Sequence, residues 1–118
     1  MNSSDETSRL KIYMSSTDKL NHNLLGESLL LLAHQNGLSG ATLSRGIMGY
    51  GSSSVIHSYK FWEVSEKVPL ILEIVDNTAK LIQFWELIKP QLEGIPNGSL
   101  ATIEKIDVLL YKAGKSKS

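Results

Sequence analysis

Cysteine is missing altogether from the 118-residue chain, and with it go disulfide staples, thiolate nucleophiles and cysteine-type zinc sites. Excess charge is missing too, since twelve Lys and Arg balance twelve Asp and Glu. The short tail cluster Lys112, Lys115 and Lys117 is the only basic block, so the positive stripe that tracks a phosphate backbone is lacking and no nucleic-acid partner is expected. Long hydrophobic runs are absent as well: the aliphatic stretch Leu29 to Ala33 is far below the roughly 20 residues that cross a bilayer. Met1 to Ser8 is polar and acidic, without the basic start and apolar centre of a signal peptide, which predicts a cytoplasmic protein with no direct membrane insertion. His22, His34 and His57 lie on separate elements without a His-x-x-x-His spacing, so no metal site is expected. No Gly-x-Ser-x-Gly elbow is present, and no acid is placed to orient a histidine, so the chain reads as a binder and not as an enzyme.

What is there is ordinary globular material, 42% apolar and 20% charged, in a length that suits one domain with a modest core. The Ser- and Lys-rich ends predict a flexible N-terminus over 1–8 and a flexible C-terminus over 113–118 around one domain, 9–112. Leu10, Ile12 and Met14 alternate with Lys11 and Tyr13 at the two-residue period of a strand. After a polar turn, Asn23 is placed to cap a helix whose stripe is Leu24, Leu25, Leu29, Leu32 and Ala33, and Gly37 supplies the left-handed residue that ends it. Ala41 to Met48 reads as a second strand, closed by Gly46, Gly49 and Gly51. Val55 to Val64 is rich in β-formers without clean alternation and reads as a partly extended excursion.

Pro69 opens a nearly continuous apolar run, Leu70 to Val75, of the kind that fits a central strand. Asp76 or Asn77 then caps a second helix with the stripe Leu81, Trp85, Ile88 and Leu92, within which Pro90 predicts a kink. A turn from Gly94 to Gly98 leads to a long last strand, Leu100 to Tyr111. The order βαββαβ with right-handed crossovers gives an α+β, ferredoxin-like sandwich: a four-stranded antiparallel sheet with two helices on one face. Its other face, with Tyr13, Ile71, Val75, Ile103, Leu109 and Tyr111 expected on it, has no cover within one chain and predicts a closed homo-oligomer.

Several residues near the second strand suit a ligand. Arg45 stands at its end beside the glycines, where a guanidinium can pair with a phosphate or a carboxylate, or simply form an intrachain or intersubunit salt bridge, with Glu73 as one partner. The pattern Gly46-x-x-Gly49-x-Gly51 opens no helix and by itself denotes a turn. Ser52, Ser53 and Ser54 offer hydroxyls to an anion or are solvated turn, and His57 is either a ligand contact or a hydrogen-bonded structural histidine. Trp85 belongs to the helical stripe, whereas Trp62 in the excursion suits a subunit or partner contact.

The stretch from Gly40 to His57, GATLSRGIMGYGSSSVIH, resembles the signature of the bacterial and archaeal family of unknown function numbered 190, also called UPF0166. Companion pieces are Lys11-Ile12-Tyr13, Glu73-Ile74-Val75-Asp76 and Thr102-Ile103-Glu104-Lys105-Ile106, so the likeness spans about Leu10 to Tyr111. It implies a fold and homotrimer similar to the PII signalling proteins, with an adenine nucleotide bound in clefts between subunits. It also implies a mobile loop between the second and third strands, here Tyr50 to Val68, through which ligand or partners act. A membrane transporter of the fluoride-exporter kind is the partner the family's gene neighbourhoods imply. In PII proteins a Gly-aromatic-Gly turn approaches the phosphates, and Gly49-Tyr50-Gly51 looks like it; glycine lets backbone amides converge on an anion with no Cβ in the way. The closely spaced arginines of the PII last strand are replaced here by Val108, Leu109 and Leu110, which favours AMP or ADP over ATP.

The resulting expectation is a regulator with no required cofactor, binding AMP or ADP near Arg45, Gly49, Tyr50, Gly51, Ser52, Ser53, His57 and Glu73. The alternative is a structural or metal-linked trimer similar to CutA without nucleotide function. An acylphosphatase-type hydrolase on the same fold lacks its anion-loop motif here.

Overall fold

The computed structural model describes residues 5–50, 57–58 and 68–114, with backbone alone at 48–49 and 57–58. Two long strands, β1 (Thr7–Ser15) and β7 (Pro69–Asn77), lie side by side at the centre of a four-stranded antiparallel sheet. They pair along their whole length, from Thr7 opposite Asn77 to Ser15 opposite Pro69. β4 (Ala41–Arg45) flanks β7 and β8 (Leu100–Lys105) flanks β1, giving the order β4-β7-β1-β8. With α1 (Leu25–Gln35) after the first of these strands and α2 (Thr78–Glu93) after the third, this is the ferredoxin-like arrangement.

The period-two pattern decides which face is buried. Leu10, Ile12 and Met14 of β1 and Leu72 and Ile74 of β7 are buried together with Leu25, Leu29 and Ala33 of α1 and Leu81, Phe84, Ile88 and Leu92 of α2, in one core. Each fully buried Leu, Ile or Phe contributes about 1.5–3 kcal/mol before entropy is counted. Helix α1 approaches the sheet closely at buried Gly26, where a Cβ would stand 3.1 Å from Leu70 Cδ1 and 3.2 Å from Leu43 Cδ2.

Several local expectations are corrected. Asn23 does not cap α1; it belongs to a small hairpin, β2 (Lys19–Leu20) and β3 (Asn23–Leu24), that runs directly into the helix. Its two-residue turn, Asn21 and His22, has positive φ at both positions, 51° and 73°, the geometry whose twist suits a tight hairpin. The helix cap is Leu24, without a side-chain hydrogen bond, and the Leu25 amide instead donates to the Asp18 carbonyl at 2.8 Å. Gly37 does end α1 with φ 75°. Helix α2 runs through Pro90 to Glu93, and the Gly94 amide donates to the Pro90 carbonyl at 3.1 Å.

The second strand also stops earlier than its sequence suggests, at Arg45, and Met48–Gly49 forms a separate strand, β5, paired with β6 (His57–Ser58). The last strand ends at Lys105, because β1, its one neighbour among the described residues, begins at Thr7: after the Ile106 amide donates to the Thr7 carbonyl at 3.0 Å the ladder has no further partner among them. Leu109 and Tyr111 therefore lie beyond the sheet. Ile103 pairs with Leu10, which places it on the helix side at an uncovered edge, 43% exposed. The remainder of the Val55 to Val64 excursion, Trp62 included, lies outside the described residues.

Each end of the sheet holds one buried aspartate. Asp76, fully buried at the end of β7, accepts the Ser39 amide and the Asn77 amide, both at 2.7 Å, and has Lys80 Nζ at 3.8 Å. Lys80 also donates to the Gly37 carbonyl at 2.7 Å, so the end of α1, the start of β4 and the start of α2 meet here. Burial pushes the Asp76 carboxyl up, but the Ser39 and Asn77 amides, the Ser39 hydroxyl and the Lys80 charge together hold it below its ordinary value. At the opposite end Asp18, 2% exposed, accepts the Ser15 amide at 2.9 Å and Asn97 Nδ2 at 2.7 Å, tying the turn after β1 to the turn before β8.

Candidate functional site

The candidate residues gather at the Asp18 end of the sheet. Arg45 closes β4 opposite Leu70, is exposed, and has no ion-pair partner among the described residues. Gly46 follows, with its amide donating to the Pro69 carbonyl at 2.7 Å. A Cβ there would lie 2.8 Å from Pro69 Cγ, so glycine is what allows the chain to turn so tightly against the start of β7.

Beyond this pinch the backbone re-pairs as a two-stranded ribbon, Met48 opposite Ser58 and Gly49 opposite His57. The ribbon is separate from the main sheet, and Tyr50 at its tip side is 71% exposed. The other foot of the segment is fixed at Val68, whose amide and carbonyl bond Ser16 Oγ at 3.0 Å and the Ser16 amide at 2.8 Å. Arg45, Gly49, Tyr50 and the backbone of His57 thus lie close along one stretch of chain. Gly51, Ser52 and Ser53 lie outside the described residues.

Glu73 is elsewhere. It lies opposite Thr42 and Lys11 on the face away from the helices, whereas alternation assigns Arg45 to the helix side. The intrachain Arg45–Glu73 bridge is not formed. Glu73 Oε1 instead has Arg9 Nε at 3.7 Å and Lys11 Nζ at 3.8 Å, and Arg9 Nη1 donates to Glu104 Oε1 at 3.0 Å. Sequence reasoning missed Arg9 and Lys11 as its partners; the signal was their shared parity with Tyr13 on β1. The open face therefore carries a polar rung, Thr42, Glu73, Lys11 and Thr102, next to one of Ser44, Ile71, Tyr13 and Leu100 that is mostly apolar.

No group of three or more His, Asp or Glu among the described residues is arranged to hold a metal ion. No helix among them is long and apolar enough to cross a membrane.

Residues 7–108 match the profile of a family described as an uncharacterized ACR group, DUF190. The chain belongs to this family. A UPF0166 protein of Aquifex aeolicus is 34% identical over 100 residues, covering 85% of this chain and 90% of its own. A UPF0166 protein of Methanocaldococcus jannaschii is 36% identical over 67 residues, covering 57% and 61%. A second Aquifex aeolicus UPF0166 protein is 28% identical over 75 residues, covering 64% and 72%. The DUF190 match spans every strand of the main sheet and both helices, so the pinch at Gly46 and the ribbon after it lie inside the family region.

Proposed function

We propose that this chain is a PII-like regulator: a homotrimer that binds AMP or ADP at its subunit interfaces and signals through the segment 50–68 to a partner protein, such as a membrane transporter. It acts by binding and not by turnover. The observation that carries this reading is the Arg45 guanidinium, exposed and without a carboxylate partner among the described residues, at the foot of a ribbon that stands apart from the main sheet. Such a cation next to glycine-flanked backbone amides suits a phosphate better than it suits internal packing. Glu73, already engaged by Arg9 and Lys11, contributes to the open face and would meet a nucleotide only across a subunit boundary.

Calorimetric titration of the full chain with AMP, ADP and ATP tests this. Binding of AMP or ADP at micromolar or tighter level is expected, weakened about 10- to 100-fold in Arg45→Ala, as the loss of one charge-assisted hydrogen bond implies. Three flat titrations would remove the nucleotide from the account.

A further inference from the structure

Two Asn-Gly pairs stand in the chain, Asn36-Gly37 and Asn97-Gly98, and the fold treats them differently. Glycine after asparagine leaves the following backbone nitrogen unhindered, with no Cβ between it and the side-chain amide. Asn36 is held at the end of α1: its backbone amide and its Nδ2 both donate to the Leu32 carbonyl, at 2.9 and 2.8 Å, and the Gly37 amide donates to the His34 carbonyl at 3.2 Å. Asn97 and Gly98 are exposed between α2 and β8, in neither helix nor strand, and the Gly98 amide makes no hydrogen bond among the described residues.

What Asn97 does hold is Asp18. Its Nδ2 donates to Asp18 Oδ1 at 2.7 Å, and Asp18 is buried while Asn97 is open to water. The other Asp18 oxygen accepts the Ser15 amide at 2.9 Å. The same turn carries Ser16, whose hydroxyl accepts the Val68 amide at 3.0 Å and whose amide donates to the Val68 carbonyl at 2.8 Å. One exposed side-chain amide is therefore the first link in a run of hydrogen bonds that ends at the foot of the segment 50–68.

We propose that Asn97 is a site of spontaneous deamidation, and that its product loosens the candidate site end by setting a second carboxyl against buried Asp18. The Gly98 nitrogen forms a bond to Asn97 Cγ and gives up its proton; the Cγ–Nδ2 bond breaks, and the side-chain nitrogen departs as ammonia with that proton and the bond's electron pair. Water then opens the cyclic imide, its hydroxyl going to one carbonyl carbon and its other proton to the ring nitrogen. Opening at Cγ gives aspartate, and opening at the backbone carbonyl gives isoaspartate, which lengthens the main chain by one carbon. Either product replaces the donor that faced Asp18 with a carboxyl oxygen. Two ionised carboxyls repel at hydrogen-bond distance, so the exposed one swings away and Asp18 loses its partner in the turn before β8. The step consumes only water, so it stands whether or not AMP or ADP binds.

Peptide mapping of the full chain, kept folded in mildly alkaline buffer for days, follows the exchange of NH for O in the mass at each asparagine. Asn97 is expected to convert about tenfold faster than Asn36 or more, since the helix-end pair must first give up the hydrogen bonds that hold it. Both aspartate and isoaspartate should appear at position 97. Asn36 converting as fast as Asn97 overturns the proposal, and so does conversion at position 97 that Gly98→Ala fails to slow. Asn97→Asp, which makes the aspartate product directly, is expected to speed hydrogen exchange at the Ser15, Ser16 and Val68 amides more than Asn97→Ala does, with the Ser39 and Asn77 amides still protected. Exchange no faster than in Asn97→Ala overturns the loosening. The aged chain itself, its converted fraction separated by anion exchange, is expected to show the same pattern and gives that reading without relying on a variant's folding.

Discussion

Asp18 and Asp76 are the same residue, equally buried, at opposite ends of the same sheet, yet they hold different kinds of structure. Asp76 takes two backbone amides and a lysine, and it fixes three element ends that carry none of the candidate ligand residues. Asp18 takes one backbone amide and the neutral amide of Asn97, and it sits at the end where Arg45, Gly46 and the ribbon emerge. Much of its work is done by its backbone, whose amide donates to the Ser15 carbonyl at 3.1 Å and whose carbonyl accepts the Leu25 amide at 2.8 Å. The scaffold end is thus held through two backbone amides and a lysine, and the candidate site end through one backbone amide and one side-chain amide. Under the regulatory reading proposed above, that division would leave one end to hold shape and the other free to respond.

The largest effect is expected at Asp76. Asp76→Ala leaves the Ser39 and Asn77 amides without their acceptor and should cost about 3 kcal/mol in urea unfolding. Its pH dependence follows from the depressed carboxyl. Because the folded value lies below the unfolded one near 4, the stabilisation is fully present above that pH and is lost as pH falls through the folded value. Stability measured downward from pH 5 should therefore decline in the native chain, and Asp76→Asn should show a shallower decline. Equal slopes would show that the carboxylate is not the titrating group that matters.

Asp18→Ala should cost less, about 1–2 kcal/mol, since both backbone bonds at that position survive the substitution. Its informative consequence is local. Hydrogen exchange should quicken at Ser15 and in the turn before β8 while the amides of Ser39 and Asn77 remain protected. A loss as large as that at Asp76, spread over the whole domain, would erase the distinction between the two ends.

Much of this architecture was legible in the residues. The alternation in Leu10, Ile12 and Met14 gave β1, the apolar run after Pro69 gave β7, and the helix stripes gave the buried face, because period is a local property. What failed was partner-dependent. Asn23 reads as a cap, but the pair Asn21 and His22 takes a left-handed turn and draws it into a hairpin. Residues 106–111 have every mark of a strand and end as an exposed tail because β1 is too short to pair with them. At the candidate site the glycine pinch was readable from composition and Arg45 from its neighbours. The assignment of Glu73 to Arg9 and Lys11 depends on register across β1 and β7, which one strand's sequence does not carry.

The smallest effect is also the sharpest test of the contrast. Lys80 is 41% exposed and 3.8 Å from Asp76, so its pairing is partly screened and Lys80→Met should cost only about 0.5 kcal/mol. Asn97→Ala, which removes a neutral donor to Asp18, should cost a similar amount. The two should separate with salt. A double-mutant cycle on Asp76 and Lys80 should give a coupling that shrinks as sodium chloride is raised from 0.05 to about 0.5 M, where the screening length falls to a few ångströms. The Asp18 and Asn97 cycle should give a coupling that salt leaves unchanged, because one member carries no charge. If both couplings shrink together, Asp18 also feels a cation from elsewhere in the chain, and the candidate site end is held by charge after all.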